Sequence, residues 1–323
     1  MIKLFLIKKI FIIYRMNIKK KNNKTIRIKK DDKKKSLKTM KFKKINCAPG
    51  KDNGFTCYNS NSLEIMKNLW NKKHPDNKIT SKTPIEIWKK LKNNFANTCD
   101  NEYCWLKLEF EKYGLDKKIL KNRFAPFHPK LWNKNKNEWL SSYDLSRVMK
   151  GYEEIYKNFN FIGPSPIDFD KQLNKNSCVY DELCKFNLKS FINKGINKIA
   201  FIFNTDPHYK SGSHWISLFL DLEINLLFYF DSNGNKIPKQ VKDFCNKIIE
   251  QGKSLNIKIK YDDNFGVIHQ KSNTECGMFS LYFIITLLTK THTANYFKNK
   301  NKKIKDKYVE NLRKVYFNDP VFI

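Results

Sequence analysis

The sequence lacks any apolar run of 18 residues, which excludes an ordinary transmembrane helix. Its N-terminal stretch, MIKLFLIKKIFIIYRM, also lacks two parts of a signal peptide. Lys8 and Lys9 divide the apolar run, and no small-residue cleavage site follows it. We therefore expect a soluble protein that is not secreted.

Cysteines are few, and their spacing excludes two common kinds of site. The eight cysteines form no C-x-x-C pair and no zinc-type spacing with histidine. A chain of this length does not need disulfides to stabilise its core, so we expect reduced thiols, as in a cytosol-like compartment. We also expect no metal and no organic cofactor.

Acidic residues are scarce as well, because 31 Asp and Glu stand against 63 Lys and Arg, a net charge of +32. Such a charge attracts polyanions such as nucleic acid. Residues 1–44 hold 18 basic and two acidic residues, so +16 of the +32 lies there. We expect 1–44 to be a disordered basic arm, and non-specific DNA binding is the alternative role for it.

Residues 45–135 are predicted to be mainly helical. Apolar residues over 59–74 have helical spacing, and a further helix is indicated over 104–114. Between them, Thr83, Pro84 and Glu86 are typical of a helix start with a capping box. No catalytic pattern is present in this region, which we interpret as a packing or docking module.

Residues 136–323 alternate between two periodicities. Amphipathic or apolar helices are predicted over 139–159, 241–253 and 276–289, and a loop over 161–170. Strands are predicted over 198–206, 214–223 and 226–234, and another strand within 257–269. The helix over 276–289 is apolar nearly all round and must be buried. The pattern predicts an α+β domain with a central sheet flanked by helices.

A histidine and an aspartate occupy matching positions in one predicted hairpin. His214 opens the first strand and Asp231 closes the second, at nearly equal distances from the turn over 223–225. Residues placed in this way lie opposite one another on an antiparallel pair. A carboxylate beside an imidazole fixes its tautomer and stabilises its charged form.

Cys276 lies in the predicted first turn of the buried helix, at its exposed end. A side chain from 272–274 can cap that helix, and the partial positive charge of a helix N-terminus favours a thiolate. Gln270, six residues upstream, could donate to an oxyanion, and Gly277 leaves room for a substrate carbonyl. A cysteine, a histidine and a carboxylate are the groups that thiol catalysis requires.

Each of these residues also has an ordinary structural interpretation. His214 could be a structural histidine, Asp231 a turn residue before Ser-Asn-Gly, and Cys276 a buried core cysteine. From the residues alone, the enzyme and the structural interpretation both stay open.

The combination of motifs resembles a known protease superfamily. The motifs G-S-H-W (212–215), F-D-S (230–232), Gln270 and E-C-G (275–277) occur in the order of the ubiquitin-like-protein-specific cysteine proteases. That group includes the SUMO proteases, adenain and the polyprotein proteases of poxviruses and African swine fever virus. The resemblance implies an adenain/SUMO-protease-like α+β core, with a mixed sheet and the nucleophile at the start of a buried helix.

The resemblance also implies a role for each matched residue. His214 would be the general base, Asp231 its orienting partner, Cys276 the nucleophile and Gln270 the oxyanion-hole donor. Trp215 resembles the family tryptophan that helps to form a narrow tunnel for glycine. Trp139 resembles a second aromatic residue that closes this tunnel, and core packing is the alternative role for Trp139.

Within the superfamily, the viral members resemble this chain most. The stretches 139–163, CAPGKDNGFTCY (47–58) and TPIEIW (83–88) resemble proteases of large nucleocytoplasmic DNA viruses, including giant viruses. The implied function is maturation of viral core or capsid precursors after Gly-Gly-type sites, in the virion and the viral factory of the host cytoplasm. The alternatives are an isopeptidase acting on ubiquitin or SUMO conjugates of the host, and a basic DNA-binding virion protein with a vestigial protease fold.

Overall fold

The computed structural model describes residues 40–111 and 123–320. Of the predicted basic arm, 1–39 lies outside the described residues. Residues 40–44 do not behave as a free arm, because the Met40 N–H donates to the Ala96 carbonyl at 2.9 Å and Phe42 packs among aromatic side chains. The arm boundary at residue 44 is therefore too late. Among the described residues, no helix is both long and apolar enough to cross a membrane.

The N-terminal part is helical, as predicted. Asn59 and Thr83 cap its two main helices through their side chains. The helices close on a small aromatic core that includes Trp70, Phe95 and Trp105. The elements are α1 (Ser60–Lys73), α2 (Pro84–Asn94) and α3 (Glu102–Trp105), with π-helical turns over Leu106–Phe110 and 3-10 turns over Pro75–Asn77 and Lys130–Asn133. The predicted boundary between 135 and 136 stays a prediction.

The remaining elements alternate between helix and strand. The helices are α4 (Ser142–Ile155), α5 (Asp181–Cys184), α6 (Leu188–Asn193), α7 (Lys239–Ser254), α8 (Cys276–Leu288), α9 (Ala294–Lys298) and α10 (Asp306–Tyr316). The strands are β1 (Phe159–Pro166), β2 (Gln172–Asn174), β3 (Ser177–Cys178), β4 (Lys198–Asn204), β5 (Trp215–Asp221), β6 (Leu226–Phe230) and β7 (Lys260–Asp263).

A mixed five-stranded sheet forms the centre, in the order β1-β4-β5-β6-β7. The outer pairs β1–β4 and β6–β7 are parallel, and β4–β5 and β5–β6 are antiparallel. One face packs against α4 and α8, and the other against α6 and α7. All 13 residues of α8 are buried, as its almost entirely apolar sequence requires. The predicted α+β architecture, a mixed sheet flanked by helices with the Cys276 helix buried against it, is confirmed.

The predicted loop over 161–170 is wrong, because most of it belongs to β1. Gly163, Pro164 and Pro166 resemble loop residues, yet β1 pairs in parallel with β4 from Phe159 to Pro166 and is irregular between Ile162 and Ser165. β1 is an edge strand, and an edge strand tolerates proline because one side of its backbone has no neighbouring strand to bond.

The prediction of reduced thiols is also wrong for six of the eight cysteines. The structure has disulfides between Cys47 and Cys57, Cys99 and Cys104, and Cys178 and Cys184, with Cα–Cα distances of 5.1, 5.5 and 6.3 Å. Partners lie 10, 5 and 6 residues apart in the chain, so local turns bring them together. Cys245 and Cys276 are the free thiols.

Candidate active site

The β5–β6 hairpin brings His214 and Asp231 together, although not directly opposite each other. Ser217 faces Phe230 across the pair, so this register continued by one residue sets Asp231 across from Ile216. His214 and Asp231 are thus diagonal neighbours, which still leaves their side chains within reach. The His214 Nε2 and the Asp231 Oδ1 are 2.6 Å apart.

Asp231 is held by a residue that sequence reasoning missed. The side chain of Asn264 accepts the Asp231 N–H at 2.9 Å and donates to the Asp231 carbonyl at 2.8 Å. Its amide also donates to the Val267 carbonyl at 3.1 Å, and Asn264 is buried. In the sequence, Asn264 lies in the stretch Asp-Asp-Asn-Phe-Gly, where an asparagine looks like an ordinary turn residue.

The imidazole of His214 has a raised pKa. Burial alone would lower the pKa of its imidazole, but hydrogen bonds to Asp231 and Cys276, together with their charges, raise this pKa to about 9. Because Nε2 bonds to Asp231, Nδ1 is the ring nitrogen left for the thiol. The site therefore favours an imidazolium at neutral pH, which is the partner that a thiolate needs.

Cys276 begins α8, but two details differ from the prediction. The N-cap residue is Glu275, not a residue of 272–274, and no described side chain caps the helix. The first intrahelical bond runs from the Phe279 N–H to the Glu275 carbonyl, so the N–H groups of Cys276 and Gly277 have no partner within the helix. Cys276 is also only 2% exposed, whereas an exposed helix end is predicted. The packing of α8 under the sheet and α4 buries its first residue with the rest.

Both polar atoms of the Gln270 side-chain amide are hydrogen-bonded. Its Oε1 accepts the Ser232 hydroxyl at 2.7 Å, and its Nε2 donates to the Ser272 carbonyl at 2.6 Å. An amide nitrogen carries two hydrogens, so one N–H stays available for an oxyanion. The Ser232 carbonyl also accepts the Gln270 N–H at 2.9 Å, which joins the segment that follows Asp231 to the segment that precedes Cys276.

Trp215, Gly277 and Leu140 pack against one another beside the cysteine. The Trp215 indole N–H donates to the Leu140 carbonyl at 2.9 Å. A Cβ added to Gly277 would lie 3.0 Å from the Leu140 Cβ and 3.2 Å from the Trp215 Cδ1. The structure thus gives a packing reason for glycine here, in addition to the predicted room for substrate.

Trp139 lies one residue before Leu140 and is 37% exposed. This exposure is at odds with the alternative that Trp139 is a core residue. Trp139 lies ahead of α4, since that helix begins at Ser142 and not at Trp139 as predicted.

Two side chains of α10 hold the segment between Gln270 and Cys276, and neither is apparent in the sequence. Arg313 donates to both carboxylate oxygens of Glu275, at 3.0 and 3.1 Å. Asp306 accepts the N–H of Lys271 at 3.1 Å and the N–H of Ser272 at 2.7 Å. Both contacts join residues more than 30 positions apart, so no local pattern reveals them.

A buried thiol joined to an imidazole and a carboxylate, at the start of a helix behind a mixed sheet, is the arrangement of a thiol protease. The comparisons with known proteins agree with this class. The chain belongs to the Ulp1 protease family, and the model of that family's C-terminal catalytic domain matches residues 172–320. The protein is accordingly a cysteine protease.

Viral proteins are among its relatives. A protein of Acanthamoeba polyphaga mimivirus, described as a thiol protease, is 33% identical over 72% of this chain and 74% of its own length. The SUMO-1 cysteine protease of African swine fever virus is 24% identical over 73% of this chain and 89% of its own length. The crystal structure of the swine fever virus protease has the same fold, with a TM-score of 0.63 and 21% identity, and it covers 85% of this chain and 96% of that one.

Proposed function

We propose that the protein is a cysteine endopeptidase that cleaves after Gly-Gly-type sites and matures core or capsid precursors of a virus during assembly. The observation that carries this proposal is the narrow packing at the cysteine. Cys276 is buried, and the adjoining Gly277 has no space for a methyl group between Leu140 and Trp215. A substrate that reaches such a thiol must be slender, and glycine is the slimmest residue.

In the proposed mechanism, the Cys276 thiolate attacks the scissile carbonyl carbon and forms a C–S bond. The oxyanion accepts hydrogen bonds from an N–H of the Gln270 side chain and from backbone N–H groups at the start of α8. The C–N bond then breaks, and the departing amine takes a proton from the His214 imidazolium. His214 next takes a proton from water, which attacks the thioester, and the C–S bond breaks to release the acid.

Asp231 orients His214 through this cycle and stabilises its charged form. Trp215 and Trp139 would form the walls of the substrate tunnel. The exposure of Trp139 supports this role, because an exposed indole next to the buried Leu140 lies on the surface beside the site.

The test uses peptides with a Gly-Gly-Xaa core, compared with ubiquitin and SUMO activity probes. Wild type should cleave the peptides, Cys276→Ala should not, and replacing the second glycine of the substrate by alanine should lower kcat/KM at least about 100-fold. Labelling by ubiquitin or SUMO probes without peptide cleavage would contradict precursor processing and would favour an isopeptidase activity. Cleavage by Cys276→Ala would contradict the mechanism itself.

We further propose that the protease acts in the virion and the viral factory, where residues 1–44 bind DNA non-specifically. The net charge of +16 over these residues supports this part of the proposal. Affinity for duplex DNA should fall steeply with salt and should largely disappear when 1–39, the part that precedes the packed Met40 and Phe42, is deleted. Unchanged affinity in the deletion variant would contradict it.

A further inference from the structure

We propose that Asp306 is a positioning residue, which aims the Gln270 amide at the oxyanion through the backbone of Ser272. This inference rests on the proposed function, because it assigns a support to the proposed oxyanion donor. Its basis is a continuous set of hydrogen bonds between α10 and the segment over 270–275.

The first link is the contact between α10 and that segment. Asp306 accepts the Lys271 and Ser272 N–H groups, the latter at 2.7 Å. This contact fixes the backbone at the N–H of Ser272. The carbonyl of the same residue accepts the Gln270 Nε2 at 2.6 Å. Because that carbonyl takes one of the two amide hydrogens, its direction determines where the other hydrogen points.

A second contact of α10 supports the one that Asp306 makes with the Lys271 and Ser272 N–H groups. Asp306 and Arg313 are seven residues apart, two helical turns, and therefore lie on one face of the helix. Arg313 holds both oxygens of Glu275, and the buried Val309 lies between them along the helix. The segment is thus held at Ser272 and at Glu275 by one helix.

The third link is the orientation of the Gln270 amide itself. Ser232 donates to its Oε1 at 2.7 Å, which assigns the nitrogen to the side that faces Ser272. Without Asp306, the Ser232 contact would remain but the Ser272 carbonyl would be free to rotate. We therefore expect loss of Asp306 to weaken the oxyanion interaction and to leave the thiol intact.

The experiment compares catalysis with simple alkylation of Cys276. Alkylation by iodoacetamide develops no oxyanion, so it reports the thiol alone. The other free thiol, Cys245, should not compete, since burial raises the pKa of its thiol and keeps it protonated. The matched control is Glu310→Ala, which removes the other acidic side chain of this helix. Glu310 is a partner of Lys307, and its charge also raises the pKa of Glu275, but the hydrogen bond to the Ser272 N–H comes from Asp306.

For Asp306→Ala we expect kcat on a Gly-Gly peptide to fall about tenfold, with KM and the alkylation rate within about twofold of wild type. Asp306→Asn is isosteric and keeps an oxygen that accepts from Ser272, so it should lose no more than about threefold. Glu310→Ala should match wild type.

A double-mutant cycle decides between positioning and a general structural role. If Asp306 acts through Gln270, the loss caused by Asp306→Ala should disappear in a Gln270→Ala background. Additive losses, or an alkylation rate that falls together with kcat, would overturn the inference and leave the proposed function standing. Failure of wild type to cleave any Gly-Gly peptide would instead overturn the proposed function, and this inference with it.

Discussion

The indole N–H of Trp215 donates to the carbonyl of Leu140 at 2.9 Å, across 75 residues of sequence. This bond joins the residue after His214 to the residue after Trp139. It fixes the start of β5 to the segment that leads into α4. Trp215 is therefore positioned by this hydrogen bond and by packing against Gly277, and the same bond fixes the backbone of the residue that follows Trp139.

The first prediction concerns Gly277. In Gly277→Ala the new methyl group must displace Leu140 or Trp215, since its Cβ would lie 3.0 to 3.2 Å from their atoms. We expect a loss of about 1–3 kcal/mol in unfolding free energy and a larger proportional loss in kcat/KM. Urea unfolding and peptide kinetics measure the two effects. Ser280→Ala is the control on the same helix, because the Ser280 hydroxyl has no partner among the described residues. Wild-type kinetics in Gly277→Ala would show that the contact has no role.

The second prediction concerns pH. The pKa of His214 is raised to about 9, so the imidazolium persists at neutral pH and is lost as pH rises through about 9. Activity that needs the imidazolium should decline on this alkaline limb, and the stability that its partners provide should decline there as well. In Asp231→Asn the limb should move to lower pH, because the carboxylate that stabilises the charge is gone. A profile of kcat/KM from about pH 6 to pH 10 measures this shift. An alkaline limb that stays in place in Asp231→Asn would contradict the assignment.

The third prediction concerns Asn264. Its removal in Asn264→Ala leaves the buried N–H of Asp231 without its partner and leaves the Asp231 carbonyl with the Gly234 N–H alone, which should cost about 1–3 kcal/mol in unfolding free energy. It should also lower kcat about tenfold or more, because the carboxylate loses its fixed position relative to His214. The exposed Asn233, two residues after Asp231, gives the control Asn233→Ala, which keeps its backbone contact to Asp231. Equal behaviour of the two variants would rule out a specific role for Asn264.

The fourth prediction concerns the buried ion pair of Arg313 and Glu275. Arg313→Ala leaves a carboxylate buried without its cation, which should cost about 3–5 kcal/mol in unfolding free energy at neutral pH. Burial already raises the pKa of Glu275, against the opposing effect of Arg313, so the variant should bind a proton there more readily than wild type. Its stability deficit should therefore shrink as pH falls from about 7 to 5. Unfolding in denaturant at both pH values measures this, and a deficit independent of pH would contradict it. Glu275→Gln in the same background should recover part of the loss.

Much of the fold could be predicted because its strongest signals are local. The apolar run of α8, the strands β4 to β6 and the capped helix starts at Asn59 and Thr83 depend on periodicity and on short motifs. β1 could not be predicted in this way. Its Gly163 and two prolines suggest a loop, and only its place at the edge of the sheet explains why a strand tolerates them.

In the candidate site, too, local sequence patterns could be predicted and contacts between distant residues could not. His214 and Asp231 could be placed together because a hairpin brings equidistant residues close, even though the observed register sets them on a diagonal. Asn264, Asp306 and Arg313 lie 33 to 38 residues from the groups that they hold, so sequence proximity gives no sign of them. The burial of Cys276 likewise depends on how α8 packs, not on its own sequence.

The most direct test of the central claim is the site of covalent labelling by a peptide that ends in a Gly-Gly vinyl sulfone. Peptide mapping by mass spectrometry identifies the modified residue. If Cys276 is the nucleophile of a Gly-Gly-specific protease, the label should fall on Cys276 and not on the other free thiol, Cys245. Labelling should stop in His214→Ala and when alanine replaces the last glycine of the probe. A label on any other residue, or peptide cleavage that continues without modification of Cys276, would contradict the claim.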